Sequence, residues 1–325
     1  VNVHALQVEA AAGAGRMCPF DYRYPPEVFR RTPDVAAETL YVVGGLYGNL
    51  AALDEIERMA KAERGPVTIV FNGDFHWFDA DLDWFAEIER RVAPYRKLRG
   101  NIETEIARPG DIGAGCGCAY PDSVDDGTVT RSNDILAQLR DVAAAMPGSR
   151  ESMRGLPMHF VAGVAGGRIG IVHGDAWSLA GWRFAHDMLD DPARLASLRA
   201  LKEQSTIDVF ASTHTCMAAL RSFDTPSGPL CVVNNGAAGM PNFSSTTFGV
   251  ITRIAARPSP HAPLYGIEHG EIRADALAVH YDNAAFVKCF LDVWPEQSAA
   301  HASYFGRIVS GPTHTLAQAC LQPDI

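Results

Sequence analysis

Four absences narrow what this 325-residue chain can be. It has no apolar run near the roughly 20 residues that a bilayer-spanning helix needs. It has no basic start followed by an apolar stretch. The first fifteen residues hold Glu9 among small residues, so no secretory signal is expected. Positive charge is in deficit: 28 Lys and Arg stand against 38 Asp and Glu, a formal net charge of −10. Such a surface repels phosphate backbones, which argues against a nucleic-acid-binding surface or anionic-membrane binding. An anionic substrate would have to meet a local positive centre such as a metal ion. Finally, there is no cysteine framework. The seven cysteines are odd in number and scattered, and only Cys116 and Cys118 lie close together. Without two further soft ligands nearby they read as free thiols in a flexible loop, not as a zinc site. A reducing cytoplasm is the expected location.

What is present is ordinary for a globular protein: 47% hydrophobic and 20% charged residues, enough for a core without disulfides or structural metal. Residues 1–38 read as an irregular segment broken by Pro19, Pro25 and Pro26. Apolar runs at Leu40–Val43 and Val67–Phe71, and the stretch Tyr95–Leu98, alternate with amphipathic stretches at Asn49–Glu63 and Leu82–Val92. Strand, helix, strand, helix, strand predicts an α/β fold with parallel strands. Residues 106–131, rich in Gly, Pro and Asp, read as a long loop before a helix from Ser132 to Ala145. Ala165-Gly166-Gly167 marks a hairpin between His159–Val164 and Arg168–Val172. Helical stretches fill roughly 179–203. Strands follow at Ile207–Phe210, Leu230–Val233 and Phe248–Ile251, with a hairpin over Tyr265–Tyr281 turning near Gly270. One domain over 39–281, with residues 282–325 as an extension packing on it, is the simplest organisation.

Polar residues collect where these strands end. The ends read Gly48-Asn49, Gly73-Asp74, Gly100-Asn101-Ile102-Glu103, His173-Gly174-Asp175, Ser212-Thr213-His214 and Asn234-Asn235-Gly236. In open α/β folds the carboxyl ends of strands line one crevice. Aspartate, asparagine and two histidines converging there supply oxygen and nitrogen ligands suited to a transition metal.

In this order the motifs resemble the calcineurin-like metallophosphoesterases, over about residues 40–255. That family shows Asp-x-His, Gly-Asp-x-x-Asp, Gly-Asn-His-Asp/Glu, a His before Gly-Asp, and Gly-His-x-His. The stretch Asn234 to Pro241 is similar to the Asn-Pro-Gly-Ser-x-Gly-x-Pro segment of bacterial members. The resemblance implies a four-layer α/β/β/α sandwich of two mixed sheets. It also implies hydrolysis of a phosphomonoester or phosphodiester by metal-held hydroxide, with two ions about 3.5–4 Å apart.

The departures from that pattern reshape the expectation. Gly45 and Tyr47 stand where the family has Asp-x-His, Trp77 replaces the second Asp of Gly-Asp-x-x-Asp, Ile102 replaces the proton-donating His, and Ser212 replaces the first His of Gly-His-x-His. The first metal position is expected weak or empty. One divalent transition ion (Mn, Zn or Fe) is expected on Asp74, Asn101 and His173, with His214 adjacent as a ligand or phosphate contact. For a replacement proton donor, His76 and Glu103 are the candidates, with a plain loop histidine and a solvated carboxylate as the favoured readings. Arg99 and Arg183 are candidate phosphate contacts. Two other classes compete. One is a catalytically inactive relative that binds a phosphorylated ligand or a protein partner. The other is a dinucleotide-binding oxidoreductase, suggested by Gly44-Gly45-x-x-Gly48, a poor match to Gly-x-Gly-x-x-Gly.

Overall fold

Alternating side chains on short strands must bury two faces at once when helices cover the outside of two stacked sheets, and this chain does so. The computed structural model describes residues 13–110 and 112–321. Glu9 and the start that argues against a secretory signal lie outside the described residues. In chain order the elements are β1 (Val35–Ala37), β2 (Thr39–Val43), α1 (Leu50–Lys61), β3 (Val67–Asn72), α2 (Leu82–Val92), β4 (Arg96–Leu98), α3 (Asn101–Ala107), α4 (Asp126–Ala145) and α5 (Ser149–Arg154). Then come β5 (His159–Val164), β6 (Gly167–Val172), α6 (His186–Leu189), α7 (Leu195–Ser205), β7 (Val209–Ser212), β8 (Ala219–Phe223) and β9 (Leu230–Asn234). The chain continues through β10 (Gly249–Ala255), β11 (Tyr265–His269), β12 (Ile272–Val279), α8 (Asn283–Val293), α9 (Ala299–Ser310) and α10 (Leu316–Ala319).

Two six-stranded mixed sheets result, in the orders β1-β5-β6-β7-β9-β8 and β11-β12-β10-β2-β3-β4. Leu40 and Val42 of β2 point into the layer between the sheets, together with Val70, Ile169, Ile171, Val209 and Ala211. Tyr41 and Val43 point the other way, onto Leu53 and Ile56 of α1 and Ile88 of α2. On the opposite side Phe210 and Val232 meet Leu198 and Leu201 of α7. The expected four-layer sandwich is therefore the fold. At about 1.5–3 kcal/mol for each large apolar side chain, these layers supply the main stabilisation.

Helix starts follow capping chemistry. Asn49 accepts from Ala52 N–H to open α1, Asp81 from Trp84 N–H to open α2, and Asp125 from Thr128 N–H to open α4. That last cap starts α4 six residues before the expected Ser132. Within the N-terminal segment, Val35–Ala37 adds an edge strand parallel to β5. The region expected helical over 179–203 is a loop through Ala185, and the helix α7 runs to Ser205. The strand β8 and helix α9 have no counterpart in the sequence reading. Helices α8 and α9, with Trp294 just past α8, pack Phe286, Phe290, Trp294 and Ile308 against Phe78, Ile135 and Leu139. Among the described residues no helix is long and apolar enough to cross a membrane.

The geometry that matters for function is parallelism. β2, β3 and β4 run parallel in one sheet, and β6, β7 and β9 run parallel in the other. Their carboxyl ends open on a common rim.

Candidate metal centre

Four side chains meet at that rim. Asp74 follows β3, Asn101 opens α3 after β4, His173 follows β6, and His214 lies two residues past β7. Glycines make the approach possible. A Cβ on Gly100 would come within 2.2 Å of Asp74 Oδ1, and one on Gly73 would come within 2.6 Å of His173 Nδ1. Asp74 itself has φ 53°, the left-handed region, where Asp and Asn are the commonest residues after Gly.

Glu103 holds the two sheet-two loops together. It is fully buried, and its carboxylate accepts from four backbone N–H groups: Gly100 at 2.8 Å, Asp74 at 2.9 Å, Phe75 at 3.0 Å and His76 at 3.4 Å. Burial, with the Asp74 charge next to it, pushes the Glu103 carboxyl up to about 7. The expected solvated carboxylate is thus an interior clasp.

The hydrogen positions at the centre follow by elimination. His173 Nδ1 lies 2.9 Å from Asn72 O, and His214 Nε2 lies 3.0 Å from Cys118 O. Carbonyl oxygens only accept, so each imidazole donates outward from those nitrogens. The Asn101 amide nitrogen donates outward too, to Cys116 O at 2.9 Å. What remains faces inward: His173 Nε2 lies 3.0 Å from Asn101 Oδ1, 3.1 Å from His214 Nδ1 and 3.4 Å from Asp74 Oδ2. With neutral imidazoles these are four lone-pair atoms pointing at one another with no hydrogen among them.

Such a constellation could hold a cation, and an outer ring of carbonyls that fixes imidazole tautomers is how metal sites are built. The ligand atoms of Asp74, His173 and His214 all lie within 4.8 Å of one another. One carboxylate, one amide oxygen and two imidazoles fit a divalent transition metal. Without an ion, a second proton on His173 would relieve the crowding. Burial opposes that charge, yet the Asp74 carboxylate outweighs it and the His173 pKa is raised. His214 goes the other way, down to about 3, because it is buried and faces His173. A carboxylate with neutral imidazoles is the metal-binding form.

At the positions where the resemblance leads one to expect further ligands, other side chains fill the space. The Tyr47 ring lies 2.8–3.0 Å from where a Gly45 Cβ would be, and its hydroxyl contacts Cys216 Sγ at 2.8 Å. Burial pushes the Tyr47 phenol well up, so it stays neutral. Ser212 spends its hydroxyl on Gly174 O at 2.6 Å. Ile102 is buried and brings no proton. Trp77 joins the aromatic core against Tyr304.

The remaining candidates divide. His76 lies in the loop between β3 and α2, as expected, but its side chain has buried partners. It is buried, stacked on Phe85, and held between Asp79 at 2.5 Å and Glu89 at 3.0 Å. Burial opposes its charge, but these carboxylates push it up to about 10. Arg183 lines an open groove of about 580 Å³ with Trp177 and Trp182, its guanidinium 4.5 Å over the Trp177 ring. Trp182 packs edge-on to His214, so this groove adjoins the centre. Arg99 lines a different cavity, of about 190 Å³, with Arg108 and Arg154. The glycines of the dinucleotide-binding alternative are packed in: a Cβ would strike Thr213 from Gly44 and Asp79 from Gly48, leaving no phosphate cradle.

Cys116 and Cys118 are buried and bonded to each other, where free thiols in a flexible loop were expected. Their loop lies over the centre, and its two carbonyls orient Asn101 and His214. Only the nearness of the pair in sequence hinted at it.

No protein-family model matches the chain, and no curated protein matches it in sequence. Solved structures do match in fold. A metallophosphoesterase from Sphaerobacter thermophilus aligns with a TM-score of 0.52 at 16% identity, covering 84% of this chain and 100% of that one. A hypothetical protein from Pyrococcus horikoshii OT3 aligns at 0.57 and 16%, covering 86% and 100%. The fold is that of the metallophosphoesterases, and the centre lies where its parallel strands end.

Proposed function

We propose that this protein is a metal-dependent phosphoesterase that hydrolyses a small phosphomonoester or phosphodiester at a single-ion site. Asp74, Asn101, His173 and His214 would hold one divalent ion of the Mn, Zn or Fe type. The observation that carries this reading is the set of four inward lone pairs, three of them, on Asn101, His173 and His214, fixed by an outward hydrogen bond from the same side chain. When bound, the ion supplies Lewis-acid stabilisation of a phosphoryl oxygen and activation of water at neutral pH.

The chain's own residues do the rest. The Asp74 carboxylate balances charge. Asn72 O and Cys118 O hold the imidazoles in the tautomers that face inward. Trp182 shields His214 from solvent. Arg183, in the adjoining groove, is placed to meet an anionic substrate. With Ile102 where a proton donor would stand, substrates with good leaving groups are favoured, because general acid catalysis contributes about 10²–10⁴-fold.

The test is hydrolysis of aryl phosphate mono- and diesters with Mn²⁺, Zn²⁺ or Fe²⁺, comparing wild type with Asp74→Asn. Asparagine tolerates the left-handed backbone of position 74, so the fold should persist while activity is lost. Inertness of wild type with every metal and ester would refute the enzymatic reading.

A second reading has its own support. All four donors are at most 6% exposed beneath the cysteine loop, and the Tyr47 ring fills the space beside Gly45. A non-catalytic protein that keeps the fold to bind a phosphorylated ligand would look the same. Retained metal binding with no hydrolysis is the outcome that selects it.

A further inference from the structure

The loop over the centre brings sulfur to it. The Cys118 carbonyl accepts from His214 Nε2 at 3.0 Å, and the Cys118 Sγ lies 3.5 Å from the Asn101 amide nitrogen. Cys118 is therefore bracketed by two of the four donors. Its backbone is pinned independently of the disulfide. Trp182 Nε1 donates to Cys118 O at 2.9 Å, and Cys116 N donates to Asn133 Oδ1 at 2.9 Å. Between them Gly117 has φ 66°, and a Cβ there would come within 2.3 Å of Tyr22 Oη. Breaking the bond to Cys116 would free one short side-chain torsion on a main chain that these hydrogen bonds hold, at a sulfur that already lies 3.5 Å from Asn101.

Resting on the metal-site reading above, we propose that Cys118 is a redox-controlled ligand of the same ion. With the Cys116–Cys118 bond intact, the ion sees only oxygen and nitrogen. With the bond reduced, the Cys118 sulfur joins as a further donor. The step balances as a thiol–disulfide exchange with a dithiol reductant. The Sγ–Sγ bond breaks, two electrons and two protons pass to the cysteine pair, and the dithiol becomes a cyclic disulfide. On binding the ion, Cys118 Sγ releases its proton to solvent, and the metal keeps its oxidation state. A thiolate moves the site's preference from manganese, which suits oxygen donors, toward zinc and cobalt. The protein would thus select its metal according to the state of this loop.

Cobalt(II) reports the ligand set directly, because thiolate coordination produces a sulfur-to-metal charge-transfer band in the near ultraviolet and the visible ligand-field bands report bound cobalt of any ligand set. The full chain is titrated with Co²⁺ as oxidised protein, and again after dithiol reduction and anaerobic desalting. Oxidised protein should bind cobalt without the charge-transfer band. Reduced protein should show the band and bind at least 10-fold more tightly. Reduced Cys118→Ser should keep the ligand-field bands, lose the charge-transfer band and lose the tighter binding. Cys116→Ser should show the band with no reductant added. Cobalt bound to reduced wild type without the band overturns the proposal while leaving the metal site standing. A band that survives in Cys118→Ser overturns it too, with Cys216, beside Tyr47, as the rival sulfur. Absence of cobalt binding in either redox state, with Asp74→Asn no different from wild type, removes the metal-site reading itself.

Discussion

Glu103 is the residue whose loss should reveal how the centre is held. Its Oε2 accepts from Asp74 N–H and Gly100 N–H at 2.9 and 2.8 Å, and its Oε1 from Phe75 N–H and His76 N–H at 3.0 and 3.4 Å. In Glu103→Gln the amide oxygen can serve one pair, and the amide nitrogen then faces the other pair, donor against donor. Turning the oxygen toward the shorter pair leaves Phe75 N–H and the long His76 contact unmade. At about 1–3 kcal/mol for a buried donor left without a partner, the variant should lose about 2–4 kcal/mol. Glu103→Ala abandons all four and should lose more, even if a water enters the space. Folded domains have only about 5–15 kcal/mol to lose, so both effects are large. Urea denaturation at pH 8 is the assay, since there the wild-type group, pushed up to about 7, is a carboxylate. A midpoint shift at constant slope is expected, together with weaker metal binding because the Asp74 loop is no longer tied to α3. A Glu103→Gln protein within about 0.5 kcal/mol of wild type, the range of ordinary surface changes, would refute the clasp.

Two further predictions follow from the interior. His76 is pushed up to about 10 in the fold against an ordinary value near 6.5, so its contribution is complete below pH 6.5 and is lost as pH rises through 10. Thermal melts should show a decline of a few kcal/mol across that window, and His76→Gln should be less stable at pH 6 with the decline flattened; an unchanged slope would count against the buried triad. Introducing a carboxylate and an imidazole with Gly45→Asp and Tyr47→His, which also removes the ring crowding position 45, should raise the metal count from one to two ions per chain by calorimetry. A count still at one would mean that more than those two residues closes the first position.

Much of the fold was legible because strands such as Thr39–Val43 and Val67–Asn72 are short, apolar and stopped by glycine. Leu82–Val92 was read as a helix with the bounds that the structure gives it. The convergence of Asp74, Asn101, His173 and His214 was legible because each follows a strand, and parallel strands carry their ends to one rim. What escaped depends on partners distant in sequence. Cys118 meets His214 across 96 positions, and Glu103 meets Asp74 across 29. No local pattern distinguishes a carboxylate that accepts four buried N–H groups from one in solvent. Residues 106–131 were read as a loop since Gly, Pro and Asp dominate there, yet Asp125 is a helix cap and starts α4 within that stretch. Composition marks a break, while capping decides where it ends.

The most direct test of the metal centre is elemental analysis of protein loaded with Mn²⁺ or Zn²⁺ and freed of excess metal, set beside Asp74→Asn treated alike. One ion per wild-type chain and none in a still-folded Asp74→Asn is the expected result. No bound metal in wild type, two ions per chain, or an undiminished count in the variant would contradict it.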